Sequence, residues 1–230
     1  MQILEMIIPR ILESDAWRRF SKHWMAYFTL RLFGWPKFPK SKYFEIKQIA
    51  KQTKGYGLLA FVSVDKFILN YKLNHFLMGC KWGHAGLIRF GEDGELVVRQ
   101  MINSGLDDSY LLDLFGEIDG FALLWVPLKN KESAEEAERR IRLIDSVKDK
   151  VTYDYSLKLE KKLLEWVNSK DKLDSVKLDS VSLKMYCSEY AYVIVNGLTN
   201  NEMQAKEFMG RLIFEPDDFY KSCQILFEYY

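Results

Sequence analysis

A chain of 230 residues with 48% hydrophobic content can bury one substantial core, and it is too short for more than one full domain with an appendage. Three cysteines at wide spacing, Cys80, Cys187 and Cys223, argue against a disulfide framework and a CxxC zinc motif, and they point to a reducing, cytoplasmic setting. The net charge of +1 conceals an asymmetry: residues 1–54 carry eleven Lys/Arg against four Asp/Glu, a balance of +7, while the remaining 22 Lys/Arg and 28 Asp/Glu give −6.

The first eight residues form a short apolar patch interrupted by Glu5 and ended by Pro9, so no secretory signal is expected. No apolar run reaches the roughly 18 residues needed to span a membrane. Residues 14–34 predict a helix with Ser14 as N-cap, Asp15 in the first turn, Gly34 at the stop and Pro36 beyond it. Trp17, Phe20, Trp24 and Phe28 recur on one face, and Arg18, Arg19, Lys22 and His23 fill the other. Such a stretch, from Ser14 to Gly34, suits contact with a membrane surface or an anionic partner, unless the stripe packs on the main domain. Residues 43–54 read as a second short helix ending at Gly55. Residues 1–54 are thus expected to be a basic, aromatic-rich helical extension to a main domain over 55–230.

From Gly55 the pattern becomes extended. Residues 57–64 predict a buried strand and 67–77 a helix running toward Gly79. A hairpin follows, with strands over 82–90 and 95–102 joined at Gly91-Glu92-Asp93-Gly94, since Asp-Gly between apolar runs is a strong turn signal. Residues 121–126 predict a further strand ending at Pro127. Ser133-Ala134-Glu135-Glu136 matches a capping box opening a helix through about Val147. Residues 157–167 read as an amphipathic helix. The tandem repeat Lys-Leu-Asp-Ser-Val, at 172–176 and again at 177–181, marks 168–183 as an inserted surface loop. Near the end, Asp217 or Asp218 is expected to cap a last short helix.

Chemistry concentrates at Tyr186-Cys187-Ser188-Glu189. An apolar run, Ala191-Tyr192-Val193-Ile194-Val195, follows and closes at Asn196-Gly197. If the run is a helix, Cys187 lies in its first turn, where unpaired N–H groups and the helix dipole favour a thiolate. The same residues suit a strand, and a lone cysteine is often an inert core residue. A reactive thiol needs a base and a group to orient it. Among His23, His75 and His84, the last is the best base, because Gly83 and Gly86 flank it at a strand start and leave room for a substrate backbone.

The hairpin loop decides the third member. A three-residue loop with Gly94 left-handed pairs Gly91 with Glu95 and His84 with Ile102, and makes Gln100 a diagonal same-face neighbour of His84. A four-residue loop shifts the register by one, setting Met101 opposite His84 and leaving Arg99 or Asn103 as polar candidates. Gln100 is preferred, since an amide oxygen can accept from the imidazole and an arginine cannot. Cys80 with His75 and His84 supplies three soft donors within ten residues, but no fourth ligand and no regular spacing, so no metal is expected. Cys223 reads as core.

Trp82-Gly83-His84-Ala85-Gly86-Leu87-Ile88 resembles the W/F-S-H-x-G-hydrophobic motif of the YiiX/YebB-like proteins, and Tyr186-Cys187-Ser188-Glu189 their Y-C-S-E motif. That family is a circularly permuted branch of the NlpC-type papain-like cysteine hydrolases, related to the lecithin:retinol acyltransferase group. Tyr153-Asp154-Tyr155, the strand from Val98 to Gly105 and Pro216-Asp217-Asp218 are similar to further family elements, so the resemblance spans about residues 55–222. It implies an α+β, permuted papain-like fold with an antiparallel sheet packed against helices. It also implies Cys187 as nucleophile, His84 as base and Gln100 as third polar group, with Tyr186, Ser188, Gly83, Gly86 and Tyr153 near the substrate and oxyanion. The sequence departs from the family in having Gly83 where a serine precedes the histidine, and Gln100 where many relatives carry glutamate.

Three functions follow as expectations. One is a peptidase or amidase working through an acyl-enzyme on a peptide-like substrate. The second is an acyltransferase or thioesterase acting on an acyl-lipid at a membrane surface, and the third a binding protein without turnover. No cofactor is implied, and no phosphate loop, dinucleotide fingerprint or nucleic-acid motif is present.

Overall fold

A computed structural model describes residues 38–65, 79–154, 159, 161–168, 184–201, 203–208 and 211–230. The expected helices over 14–34 and 67–77, the repeat-bearing loop, His23 and His75 lie outside the described residues.

After a buried Phe38, helix α1 (Tyr43–Gln52) leads to strand β1 (Gly57–Val64). The hairpin strands are β2 (His84–Phe90) and β3 (Leu96–Ile102), followed by β4 (Gly105–Tyr110) and the single-turn α2 (Leu111–Leu114). Next come β5 (Gly120–Pro127), α3 (Lys131–Asp145), β6 (Thr152–Tyr153), α4 (Lys161–Asn168) and β7 (Lys184–Met185). The chain ends through α5 (Cys187–Val195), β8 (Lys206–Phe208), β9 (Arg211–Ile213), α6 (Pro216–Ser222) and β10 (Gln224–Tyr229). Six strands form one antiparallel sheet in the order β10-β5-β1-β2-β3-β4.

Both faces of this sheet are covered, which is why β1 and β5 read as continuous apolar runs rather than alternating ones. Ala60, Val62, Ala85, Leu87, Met101, Ala122 and Leu124 face α3, α4, α5 and α6 in one core. Leu59, Phe61, Ile88, Val98, Phe121 and Leu123 face α1, Phe38 and Phe115 in the other. Residues 38–52, read from the sequence as part of the extension, therefore supply a core layer of the described structure.

Two caps differ from expectation. Helix α3 begins at Lys131, and its N-cap is Asn130, whose side chain accepts from the Ser133 N–H at 2.9 Å; Ser133 is buried in the first turn. Asn130 wins because its short amide reaches back to the first turn from an extended backbone. Glu215, not Asp217 or Asp218, is the N-cap of α6, and Asp218 three residues on accepts its N–H at 3.0 Å. Helix α4 is described over Lys161–Asn168, and Leu159 before it donates its N–H to the Leu212 carbonyl at 2.8 Å.

Candidate active site

The hairpin turn settles the register. Gly94 has φ +73°, and the Gly91 N–H donates to the Glu95 carbonyl at 2.7 Å, so the loop is the three-residue form. Gly86 stands opposite Gln100, which makes His84 the diagonal neighbour of Gln100. Their side chains meet, with His84 Nε2 at 2.8 Å from Gln100 Oε1. The direct pairing of His84 with Ile102 does not form. The β2–β3 ladder stops at Gly86 and Gln100, while β2 continues against β1 as far as His84 and β3 against β4 as far as Ile102.

Cys187 lies beside the end of that ladder. It is the first residue of α5 and buried, with His84 and the backbone N–H groups of Ala85 and Ser188 close enough to favour its thiolate. The Ala85 N–H is the donor that the parted ladder leaves over. Since Nε2 of His84 is taken by Gln100, Nδ1 is the ring nitrogen left to serve the thiol. Burial raises the Cys187 thiol pKa, but the charge and hydrogen bond of His84, with the two backbone donors, more than offset it and hold the thiol below its ordinary value. Burial lowers the imidazole pKa in turn, and Cys187 with the Gln100 oxygen overcomes it, so His84 lies above its ordinary value. The pair favours thiolate beside imidazolium. The other two cysteines lack these partners: burial is the main cause that raises both thiols, with Glu215 adding to it at Cys80, and Cys223, half-buried rather than core, is pushed up to about 12.

The surrounding residues divide differently from expectation. Gly86 does not leave room for substrate: a Cβ there would lie 2.6 Å from the Phe61 ring and 2.8 Å from the Arg99 carbonyl, so glycine is needed for strand packing under Phe61. Phe61 in turn sets its ring centroid 5.8 Å from that of His84. Tyr186 is buried and its hydroxyl accepts from the Phe214 N–H at 2.9 Å, while Ser188 donates to the Phe214 carbonyl at 2.5 Å. Both tie the start of α5 to residue 214 rather than lining an open space. Tyr153 pairs with Met185 in a parallel ladder, two residues before the cysteine. Gly83 donates its N–H to the Ser63 carbonyl at 3.0 Å, fixing the entry to β2.

Two supporting roles escaped the sequence reading. One carboxylate, Asp217, accepts the N–H groups of Trp82 at 2.7 Å and Lys81 at 3.1 Å, and so anchors the segment leading into His84. Ser109 accepts from Gln100 Nε2 at 3.2 Å. A motif containing Asp217 is visible in the sequence, but contacts across 135 and 136 residues are not.

The donors around Cys187 do not suit a metal centre. They are one thiolate and one imidazole whose second nitrogen is engaged by Gln100, short of the four ligands of a structural zinc site. Among the described residues, no three His, Cys, Asp or Glu side chains gather in a way that could hold a metal ion. Nor, among them, is any helix long and apolar enough to cross a membrane.

No family model matches the chain, and no curated protein matches it. Among solved structures it is similar to one described as metalloprotein YiiX from Escherichia coli O157:H7, DUF1105, at a TM-score of 0.51 and 11% sequence identity. The match covers 77% of this chain and 98% of that one. The chain therefore has a YiiX-like α+β fold, with a six-stranded antiparallel sheet packed against helices.

Proposed function

We propose that the protein is a cysteine hydrolase of amidase or peptidase type on a permuted papain-like fold, with Cys187 as nucleophile, His84 as acid and base, and Gln100 orienting the imidazole. One observation carries the reading: a buried cysteine at a helix start beside a histidine whose Nε2 is held by a neutral amide oxygen at 2.8 Å. The thiolate attacks an acyl carbonyl and forms a tetrahedral oxyanion. As a first-turn N–H with no carbonyl four residues behind it, the Cys187 amide is the nearest backbone donor for that charge. Imidazolium Nδ1–H protonates the departing amine or alcohol, leaving a thioester on Cys187. Water then gives its proton to neutral His84 and attacks the thioester, releasing acid and thiolate. The lipid-directed alternative rests on residues 14–34 and gains no support from the described site.

Iodoacetamide labelling across pH with mass-spectrometric site mapping tests this reading. Cys187 is expected to react at mildly acidic pH well before Cys80 and Cys223, and His84→Ala to abolish that preference. In parallel, p-nitrophenyl acetate is expected to leave an acetyl adduct on Cys187. Equal, slow labelling of all three thiols would sink the proposal.

A further inference from the structure

The Gln100 amide helps His84 only if its oxygen faces the ring, and a carboxamide turned end for end has almost the same shape. Turned over, its NH2 would point at an imidazolium N–H, donor against donor, and destabilise the cation that keeps Cys187 ionised. The sheet supplies what prevents this. Gln100 stands opposite Gly86 on β2 and Asp107 on β4, so its diagonal same-face neighbours are His84 on one side and Ser109 on the other. Oε1 takes the bond from His84 at 2.8 Å and Nε2 donates to Ser109 Oγ at 3.2 Å. Gln100 is only 4% exposed, so bulk water is a poor substitute for that acceptor.

We infer that Ser109 is a positioning residue that fixes the polarity of the Gln100 amide and, through it, the His84 cation and the Cys187 thiolate. This rests on the catalytic reading above. The row Cys187–His84–Gln100–Ser109 crosses from helix to sheet and over three strands. The charged groups facing it are the Cys187 thiolate on α5 and, by register, Asp107 beside Gln100 on β4; neither changes in the variants below. A glutamate at position 100 would not need Ser109, because either carboxylate oxygen can accept.

That difference gives the test: the pH dependence of Cys187 alkylation by iodoacetamide in the full chain, for wild type, Ser109→Ala, Ser109→Thr, Gln100→Glu and the double variant Gln100→Glu/Ser109→Ala. Ser109→Ala is expected to shift the midpoint upward by up to about one pH unit, a loss of up to about tenfold in rate on the acid side. Ser109→Thr, which keeps the hydroxyl, is expected to restore it, and the double variant to superimpose on Gln100→Glu. A Ser109→Ala profile that superimposes on wild type overturns the inference while leaving the proposed function standing. So does a shift of equal size in the Gln100→Glu background. A wild-type Cys187 that reacts no faster than Cys223 at mildly acidic pH overturns both.

Discussion

His84 receives support from both sides, a thiolate at one ring nitrogen and an amide oxygen at the other, and the pH dependence of any acyl transfer follows from that. Below the lowered thiol pKa, Cys187 takes up a proton and the nucleophile is lost; above the raised imidazole pKa, His84 loses the proton it must give to the leaving group. The rate is therefore expected to be bell-shaped, with the acid limb below the usual thiol range and the basic limb above the usual histidine value, both belonging to the coupled pair. His84→Ala is expected to remove the bell and leave Cys187 alkylating as an ordinary buried thiol. Gly86 makes a prediction of a different kind. Gly86→Ala drives a Cβ into the Phe61 ring and the Arg99 carbonyl, and is expected to cost about 1–3 kcal/mol in denaturant unfolding. That His84 and Gln100 could share a face was legible in the sequence, because a three-residue turn makes them diagonal neighbours, and Gly94 adopts that turn. The role of Gly86 was not, because it depends on the ring of Phe61 from another strand.

Helix α5 is held at both ends, by side chains of very different origin. Its amino end is tied to residue 214 through Tyr186 and Ser188. Its carboxyl end meets the buried guanidinium of Arg140, which donates to the carbonyls of Val193, Ile194 and Asn196 at 2.9–3.1 Å and to Asn168 Oδ1 at 2.7 Å. A cation there opposes the negative end of the helix dipole and satisfies carbonyls that have no helical partner. Arg140→Met is expected to destabilise the fold by about 2–4 kcal/mol in urea unfolding, and Arg140→Lys to recover little of it, since an ammonium cannot span the same acceptors. Glu136 bonds both Arg139 and Arg140, and the hydrogen bond from Arg139 is the main cause that lowers its carboxyl to about 2. A depressed folded-state pKa stabilises the native state above the ordinary carboxylate value, and that contribution disappears as pH falls toward about 2. Glu136→Gln is thus expected to flatten the acid limb of stability, measured as midpoint denaturant against pH. The helices themselves were readable from periodicity, but the Asn130 and Glu215 caps displaced the expected Ser133 and Asp217 or Asp218. A cap depends on backbone angles at one residue, and several short polar side chains in a row compete for it.

At the scale of the whole molecule, β1 and β5 are interior strands of a sheet covered on both faces, and their amides are expected to exchange with deuterium more slowly than those of β4 and β10 at the edges. The α+β class was legible from the chain, and so was each long strand. Strand order was not, nor the edge strands β4 and β10, whose mixed polarity follows from lying at the margins. The parting of β2 from β3 was hidden too, since pairing that stops short leaves no trace in residue type. The anchoring of Trp82 by Asp217 has a consequence for folding. The groups that make Cys187 acidic lie a hundred residues before it, and the carboxylate that holds their approach lies thirty after it. Before those contacts form, the thiol is an ordinary one, with less thiolate at a given pH. Its acidity requires long-range contacts on both sides of it in sequence, so rapid alkylation of Cys187 at low pH reports a folded site.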